Sequence, residues 1–422
     1  MPTNSSNLAD PAATSPAVKS NAFRLPAAAA FRLPAAAAFP LLALVLFAFF
    51  AAASAPSPLF VLFQHQWGFS PALLTVAFAI YAIALLVSLL VAGSLSDHIG
   101  RRPVVFGALL VQAGAMLMFL SADGIGGLIA ARIAQGIATG MASGALTAAI
   151  VEAAPPSQKR LGALVSSVSP LAGLAVGALL TGLAVQLTAH PVGLVFGVLS
   201  AICLVGALAA LFVPETASRR PGAWASLIPR MAVPKAARQT FVRGIPSMLA
   251  VWSLGGLFLS LVPSMLQQVF GIHNGIVNGL AIATLFGVGA VSPTLLKRLT
   301  PARTGVIGMT CIAVGALLVC VSLALAATWL FFVGTAIAGL GFGSTFSAQV
   351  QTLAPLAQVH ERAELFAALY AASYLAFSLP AMLAGLCIAP LGLLPVAQGY
   401  TVLLALVAGG GAWMQASALR RV

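Results

Sequence analysis

Charge is what this sequence has least of. Only 6% of its 422 residues are Asp, Glu, Lys or Arg, whereas 61% are hydrophobic. A soluble domain carries about 25% charged residues, so a water-soluble enzyme, a coiled coil and a disordered chain are excluded. The apolar stretches are also too long for barrel strands, which leaves an α-helical membrane protein.

Acidic residues are the scarcest charged type, with seven Asp and Glu against 20 Lys and Arg. None of the seven lies in the middle of a long apolar run, and the five histidines lie in or near the segments between runs. Carboxylates and histidines inside a membrane usually mark ion or proton pathways. The sequence therefore lacks an intramembrane proton-relay group of either kind.

Arrangements that carry enzyme chemistry are missing as well. The chain has no paired carboxylates, metal-ligand cluster, phosphate-binding loop or nucleophile–base pair, so we expect neither an enzyme nor a cofactor. The four cysteines lie inside apolar runs, as small buried hydrophobic residues do. A net charge of +13 would indicate nucleic acid in a soluble protein, but here the basic residues lie between apolar runs and no nucleic-acid partner is expected.

What the chain does have is a series of twelve apolar runs, and a spanning helix needs about 20 residues. We expect helices at residues 40–63, 72–94, 103–121, 127–150, 161–186, 192–213, 246–268, 275–296, 304–326, 328–350, 364–387 and 395–416. A basic stretch divides them into six and six. This predicts an all-α membrane protein with twelve transmembrane helices in two pseudo-symmetric six-helix bundles.

The expected domains are a disordered cytoplasmic tail at 1–38, a bundle at 39–213, a basic cytoplasmic linker at 214–244, a bundle at 245–417 and a tail at 418–422. The first tail holds a tandem repeat of nine residues, 22–30 and 30–38, which share Ala30. A replication slip in a tolerant terminus explains it. A short amphipathic segment that seeks the membrane surface is the alternative.

The basic residues set the expected orientation. All Lys and Arg except Arg132 lie in the two tails and the even-numbered connections, which share one side of the membrane. Basic loops stay cytoplasmic, so both termini and the linker are expected inside, and Trp67 and Trp329 fall at the outer interface. The alanine- and arginine-rich composition suggests a bacterial inner membrane.

The connection between the second and third runs carries the most specific motif. Gly93, Leu95, Asp97, Gly100, Arg101 and Arg102 resemble the signature Gly-x-Leu-x-Asp-x-x-Gly-Arg-Arg of the major facilitator superfamily. The resemblance implies a latch that joins the two halves on the inner side and holds the outward-facing state. In physical terms, Asp97 can pair with Arg101, and Gly93 permits a close crossing. A plain positive-inside loop is the alternative.

Further charges on the same side extend this expected gate. Glu152 ends the fourth run, Glu215 lies in a Pro-Glu-Thr sequence that resembles the family's signature at the end of helix 6, and Glu361 and Arg362 open the eleventh run. We expect these carboxylates to pair with the loop arginines when the inner gate closes. Solvated surface charge, worth little each, is the alternative.

The fourth run contains Arg132, Gln135 and Gly136, which resemble the family's second motif, Arg-x-x-Gln-Gly. Burying an arginine costs about 2.5–3.5 kcal/mol on insertion scales, so it normally faces a cavity or a partner. We expect Arg132 and Gln135 in the substrate cavity. A tether to backbone carbonyls, or snorkelling to the interface, is the alternative.

The fifth run departs from the family's antiporter pattern. Gly173, Gly177 and Gly182 supply the glycine frame, but Ala178 stands where that pattern has proline. Antiport therefore remains open. Coupling would use a gate-level group or Arg132; without either, the protein would be a facilitator.

With few charges available, the expected cavity is neutral or mildly cationic. Besides Arg132 and Gln135, its candidate lining residues by depth are Ser54, Ser57, Tyr81, Thr139, Ser169, Ser253, Thr284, Ser344, Thr345, Tyr370 and Tyr374. Each alone also fits a packing role between helices. Such a lining suits amphipathic or weakly polar solutes.

The family resemblance implies a secondary transporter that works by alternating access. We expect a monomer that exports small amphipathic or hydrophobic compounds, with protons as candidate coupling ions and the lipid bilayer and a small-molecule substrate as partners. Uptake or facilitated diffusion of a neutral metabolite is a second interpretation. A membrane sensor that has lost transport is a third, against which the intact latch motif argues.

Overall fold

A computed structural model describes residues 33–217, 221–358 and 360–420 of the chain. Residues 1–32, which hold most of the first tail and the tandem repeat up to its second copy's Arg32, and Arg219 and Arg220 of the linker lie outside the described residues. The described residues form fifteen α-helices and no strand: α1 (Ala35–Ser54), α2 (Pro56–Trp67), α3 (Pro71–Ala92), α4 (Leu95–Ile99), α5 (Arg101–Ser121), α6 (Ile125–Ala153), α7 (Lys159–Leu187), α8 (Pro191–Ala210), α9 (Lys235–Ser260), α10 (Val262–Gln268), α11 (Gly275–Leu295), α12 (Pro301–Leu325), α13 (Thr328–Leu353), α14 (Arg362–Leu391) and α15 (Leu393–Leu419).

The expected fold class is confirmed. In the part of the chain that the structure describes, twelve helical segments are long and apolar enough to cross a membrane, and α1 and α2 together make the first of them. Several helices extend beyond the apolar runs. Helix α9 begins at Lys235, inside the expected linker, because its first turns are basic and amphipathic and need not lie in the hydrocarbon.

The first span is broken by two prolines. Helix α1 ends at Ser54, and α2 begins at Pro56 and contains Pro58. Proline has no backbone N–H, so Pro56 cannot donate to the carbonyl of Ala52 four residues earlier, and Pro58 cannot donate to that of Ser54. The break therefore leaves backbone acceptors inside the membrane that need other partners.

The two halves pack their helices in the same order. In the first half α1 packs on α7, α3 on α6, and α5 on both α6 and α8; in the second half the matching pairs are α9 with α14, α11 with α13, and α12 with both α13 and α15. Two further pairs, α3 with α14 and α7 with α11, join the halves. This arrangement gives the bundle a pseudo-twofold relation.

Glycines make the corresponding crossings tight in both halves. A Cβ at Gly140 would lie 2.5 Å from the carbonyl oxygen of Leu85 on α3, and a Cβ at Gly339 would lie 2.7 Å from that of Leu285 on α11. Small residues permit this approach between membrane helices. Gly140 on α6 and Gly339 on α13 thus mark one structural contact made twice.

Candidate functional site

The two ends of the bundle differ in charge. We call the end that carries Arg101, Lys159, Lys297 and Arg362 the basic end, and the other end, which carries the loops after α2, α5, α7, α10, α12 and α14, the opposite end. Of the described Lys and Arg, only the buried Arg132 lies away from the basic end. The contacts between the halves differ between these ends as well.

At the opposite end the halves touch backbone to backbone. A Cβ added at Gly182 on α7 would overlap the carbonyl oxygen of Gly275, and one at Gly279 on α11 would lie 2.6 Å from the carbonyl oxygen of Ala178. On the other seam, a Cβ at Gly385 of α14 would overlap the side chain of Thr75 on α3. No side chain fits at these glycines while the end stays closed.

The α7–α11 seam loosens toward the basic end. At Gly287 an added Cβ would lie 3.8 Å from the Cβ of Ala175, which is an ordinary van der Waals distance. Beyond it, Leu164 on α7 and Leu295 on α11 are 44% and 63% exposed. The contact between the two helices is therefore closest at the opposite end and becomes an ordinary side-chain contact by Gly287.

Between the ends, aromatic side chains of both halves meet. Phe78 on α3 lies 4.9 Å from Phe377 on α14, measured between ring centroids. Trp252 on α9 lies 5.1 Å from Tyr374, 5.5 Å from Phe346 and 6.0 Å from Phe377. The buried indole Nε1 of Trp252 has no hydrogen-bond partner among the described residues. This aromatic cluster thus combines ring faces with the buried indole N–H of Trp252, unpaired in the described chain, and the phenol of Tyr374.

Tyr374 is the only member of the aromatic cluster that the sequence predicted as a cavity residue. Tyr370, which was also predicted, stacks on it with ring centroids 6.3 Å apart. Phe78, Trp252, Phe346 and Phe377 were missed. A signal existed for Trp252: tryptophan is enriched at membrane interfaces, and this one lies deep in an apolar run.

Arg132 is tethered by protein groups on every nitrogen. Its Nε donates to the carbonyl oxygen of Ala77 at 3.2 Å, its Nη2 to that of Phe78 at 3.3 Å, and its Nη1 to that of Ala53 at 3.3 Å. The same Nη1 donates to Oε1 of Gln135 at 2.7 Å, and the residue is 2% exposed. The structure therefore shows the tether to carbonyls, and the expected placement of the guanidinium in an open cavity is not seen.

The break in the first span explains the tether. Nε2 of Gln135 donates at 2.8 Å to the carbonyl oxygen of Ala52, the acceptor that Pro56 cannot serve. Gly136 lets α6 approach α3 so closely that a Cβ there would overlap the carbonyl oxygen of Tyr81. The ring of Tyr81 covers the guanidinium of Arg132, 4.3 Å from its centroid. Arg132 and Gln135 thus join α1, α3 and α6 into one block.

The remaining expected cavity residues are mostly satisfied within helices. Hydroxyls that donate to a carbonyl oxygen of their own helix belong to Ser54, Thr139, Thr284 and Ser344. Ser253 donates to the carbonyl oxygen of Ala376 at 3.0 Å, and Ser57 and Ser169 are buried. Ser344 and Thr345 pack against Gly308 of α12, away from the seams between the halves. The structure does not gather these hydroxyls into one site.

At the basic end, Glu215 caps a helix. Its carboxylate accepts the backbone N–H of Arg101 at 2.8 Å and of Arg102 at 3.1 Å, the first two residues of α5. Exposed N–H groups at a helix start attract an anion. Gly100 has φ +106, and a Cβ there would overlap the carboxylate. We expected Glu215 to pair with arginine side chains; it bonds their backbone.

The guanidinium of Arg101 organises the rest of the motif loop. It forms ion pairs with Asp97 and Glu152 and donates to Oγ of Ser96 at 2.6 Å. Ser94 donates to the carbonyl oxygen of Ser226 in the linker at 2.9 Å. Gly93 directly follows the last residue of α3. The atom nearest to a Cβ added there is the carbonyl oxygen of Leu89, which belongs to α3 itself.

The expected gate residues therefore fall into two separate groups. Glu361 accepts the backbone N–H of Gln358, and Arg362 donates to the carbonyl oxygen of Ala357, both within the second half. In the described part of the chain, the hydrogen bonds and ion pairs of Asp97 and Arg101 stay within the first half and the start of the linker. Asp97 is 49% exposed at its side chain. In this conformation the latch does not join the halves.

Comparison with known proteins agrees with the motifs. The family model of the Major Facilitator Superfamily matches residues 42–381. No curated protein sequence matches. The fold resembles that of the human organic anion transporter MFSD10 (TETRAN), with a TM-score of 0.66 and 14% identity over 91% of this chain and 100% of that one. It also resembles the peptide transporter POT in complex with sulfate, with a TM-score of 0.72 and 12% identity over 91% and 94% of the two chains. At these identities the likeness concerns the fold.

Proposed function

We propose that this chain, which belongs to the Major Facilitator Superfamily and is a secondary membrane transporter rather than an enzyme, moves small amphipathic or hydrophobic solutes by alternating access. The observation that carries the proposal is the unequal packing of the two ends. Helices α7 and α11 are in backbone contact at the opposite end and pack less closely toward the basic end. A rocking mechanism requires that one end closes while the other opens, and this asymmetry supports it.

The aromatic cluster supports an amphipathic solute. Phe78, Phe346 and Phe377 offer ring faces, and the indole N–H of Trp252 is a donor that is unpaired in the described chain and lies beside the phenol of Tyr374. Arg132, the one buried cation among the described residues, is already bonded to the protein. A planar or apolar solute with one acceptor fits this surface better than a zwitterion, which needs two opposite charges.

We propose that the basic end faces the cytoplasm of a bacterial inner membrane, because basic loops are retained inside. The tightly packed end then faces the periplasm, and both termini are cytoplasmic. Reporter fusions after Trp224 and after Arg420 test this: both should report cytoplasm, and a periplasmic signal from either would overturn the topology.

Export is the direction we propose, with an inward proton gradient as the driving force. Substrate from the cytoplasm would enter at the basic end, where Asp97 and Glu152 are the accessible carboxylates. Facilitated diffusion or uptake of a neutral metabolite is the second candidate, favoured by the absence of an acidic residue from the middle of the described spans. A monomer suffices for either mechanism.

Proteoliposomes decide between these functions. Neutral, cationic and anionic amphipathic dyes would be measured across the membrane with and without a pH gradient, with Trp252→Ala as the site variant and Trp413→Ala, on the exposed face of α15, as its control. We expect gradient-driven movement of a neutral or cationic dye, lost in Trp252→Ala alone. Movement without a gradient requirement would establish facilitation. No movement of any dye would overturn the proposed substrate class.

A further inference from the structure

Two histidines and one amide meet at the opposite end. Nε2 of Gln267, on α10, lies 3.1 Å from Nε2 of His65 on α2 and 3.1 Å from Nδ1 of His273, in the loop before α11. His65 belongs to the first half, and the other two residues belong to the second. This group, which we call the His–Gln–His cluster, is a polar contact between the halves at the closed end.

One nitrogen of each ring faces the same atom, Nε2 of Gln267. The amide nitrogen donates, and each imidazole nitrogen that faces it accepts in the tautomer that leaves that nitrogen without a proton. Because each lies 3.1 Å from the same atom, the two nitrogens are no more than twice that distance apart. Both histidine side chains are exposed, so small rotations of the rings can bring the nitrogens closer.

Two neutral imidazole nitrogens that converge are ligands of choice for divalent transition metals, with zinc–nitrogen distances of about 2.0–2.1 Å. A half-turn of the Gln267 amide would present its oxygen as a third ligand, and water would complete a tetrahedral shell. The surroundings allow a cation, since the Lys and Arg of the described chain all lie elsewhere. The exposed rings also give metal ions access from the aqueous side.

The residues next to His65 and Gln267 also lie close together across the two halves. Gln64, next to His65, and Gln268, next to Gln267, line one crevice between the halves together with Leu74, Leu261 and Ser264. Trp67 stacks on Phe63 at 4.8 Å across the last turn of α2, which contains His65. The backbone segments that carry the ligands are therefore in contact before any ion arrives.

We propose that the His–Gln–His cluster is a binding site for a divalent transition-metal ion of the Zn²⁺ type, which clamps the opposite end shut and so inhibits transport. Opening that end would pull His65 away from His273, and a bound ion resists the separation. The inhibitory consequence rests on the proposed alternating access, whereas the binding site itself does not.

Titration of the purified full-length protein with Zn²⁺ tests the site without reference to transport. Binding measured calorimetrically, and the midpoint of thermal unfolding in detergent, would be compared among the parent, His65→Ala, His273→Ala and the control His190→Ala, which removes a histidine elsewhere at the same end. We expect one ion bound per chain, a raised midpoint, and at least tenfold weaker binding in each cluster variant but not in the control. Changes in the second shell of a metal site already cost about 10–100-fold in affinity, so loss of a ligand should cost at least as much.

If His65→Ala or His273→Ala bound Zn²⁺ as tightly as the parent, the proposal would be overturned. Weaker Zn²⁺ binding in His190→Ala alone would overturn it too. For the clamp, Zn²⁺ should slow dye movement in the parent proteoliposomes and not in His65→Ala. Binding without such inhibition would keep the site and reject the clamp. If no dye moved in any proteoliposome sample, the proposed transport function would be contradicted instead.

Discussion

The two ends of the bundle are joined by different kinds of contact. At the opposite end, Gly182, Gly275 and Gly279 bring α7 and α11 together at distances that leave no room for a Cβ. At the basic end, Arg101, Asp97 and Glu152 form a charged network within one half only. Backbone contact at glycines depends on shape, whereas an exposed ionic network can exchange partners at little cost.

This difference suggests how the halves move. A closed end made of flat helix surfaces can separate without breaking buried ion pairs. The charged loop at the other end can then turn from its own half toward the second half, where Glu361 and Arg362 now bond only to neighbouring residues. Four experiments sharpen or break this contrast, from the largest expected effect to the smallest.

Gly279→Leu should abolish transport. The new side chain would meet the backbone of Ala178 and Leu179, so the opposite end could not close. Dye movement in proteoliposomes would measure activity. Gly193→Leu is the matched control on α8, since a Cβ there meets no atom within 4 Å. Full activity of Gly279→Leu would show that the glycine contact is dispensable.

Arg132→Ala should reduce both transport and stability. Oε1 of Gln135 loses its donor, and the carbonyl oxygens of Ala53, Ala77 and Phe78 each lose one hydrogen bond. A buried group left without its partner costs about 1–3 kcal/mol. Thermal unfolding in detergent would report the loss. Arg132→Lys should restore only part of the lost stability and transport. A lysine ammonium is a single donor group and cannot reach α1, α3 and α6 together as the planar guanidinium does. Unchanged stability in Arg132→Ala would refute the tether.

Asp97→Asn should slow transport several-fold and leave unfolding nearly unchanged. The substitution removes one ion pair of Arg101 at an exposed position, and exposed pairs contribute about 0–1 kcal/mol. Its effect should fall on the rate of interconversion between states. Rates and unfolding midpoints of the same preparation would separate the two effects. A parental rate would mean that the motif loop is only a basic surface.

Glu215→Ala should destabilise the start of α5 by about 1 kcal/mol, as loss of a helix cap does. Hydrogen exchange at the first turns of α5 would detect it, since Arg101 and Arg102 lose the acceptor of their backbone N–H groups. Glu361→Ala, whose carboxylate accepts a backbone N–H of the other half, is the control. Equal exchange in both variants would contradict the capping role.

Sequence reasoning recovered the parts of this molecule that depend on local pattern. Twelve spans follow from apolar run length, and Arg132 and Gln135 stood out because a charge in a span is costly. The tether itself needed the proline break near Ala52, some 83 residues away in the chain. The cap by Glu215 and the contact between His65 and Gln267 join positions 114 and 202 residues apart. Sequence periodicity cannot predict contacts between residues so far apart in the chain, yet these contacts define the structure at each end of the bundle.

The central claim is that the two ends open in alternation, and one pair of helices can test it. Spin labels would be placed at Leu164→Cys and Leu295→Cys for the basic end of α7 and α11, and at Leu187→Cys and Leu280→Cys for their opposite end, all at exposed positions. The native cysteines would be replaced first, and dye movement would confirm that the labelled chains remain active. With substrate and a pH gradient, we expect the basic-end distance to shorten while the opposite-end distance lengthens. Distances that change together, or not at all, would contradict alternating access in this protein.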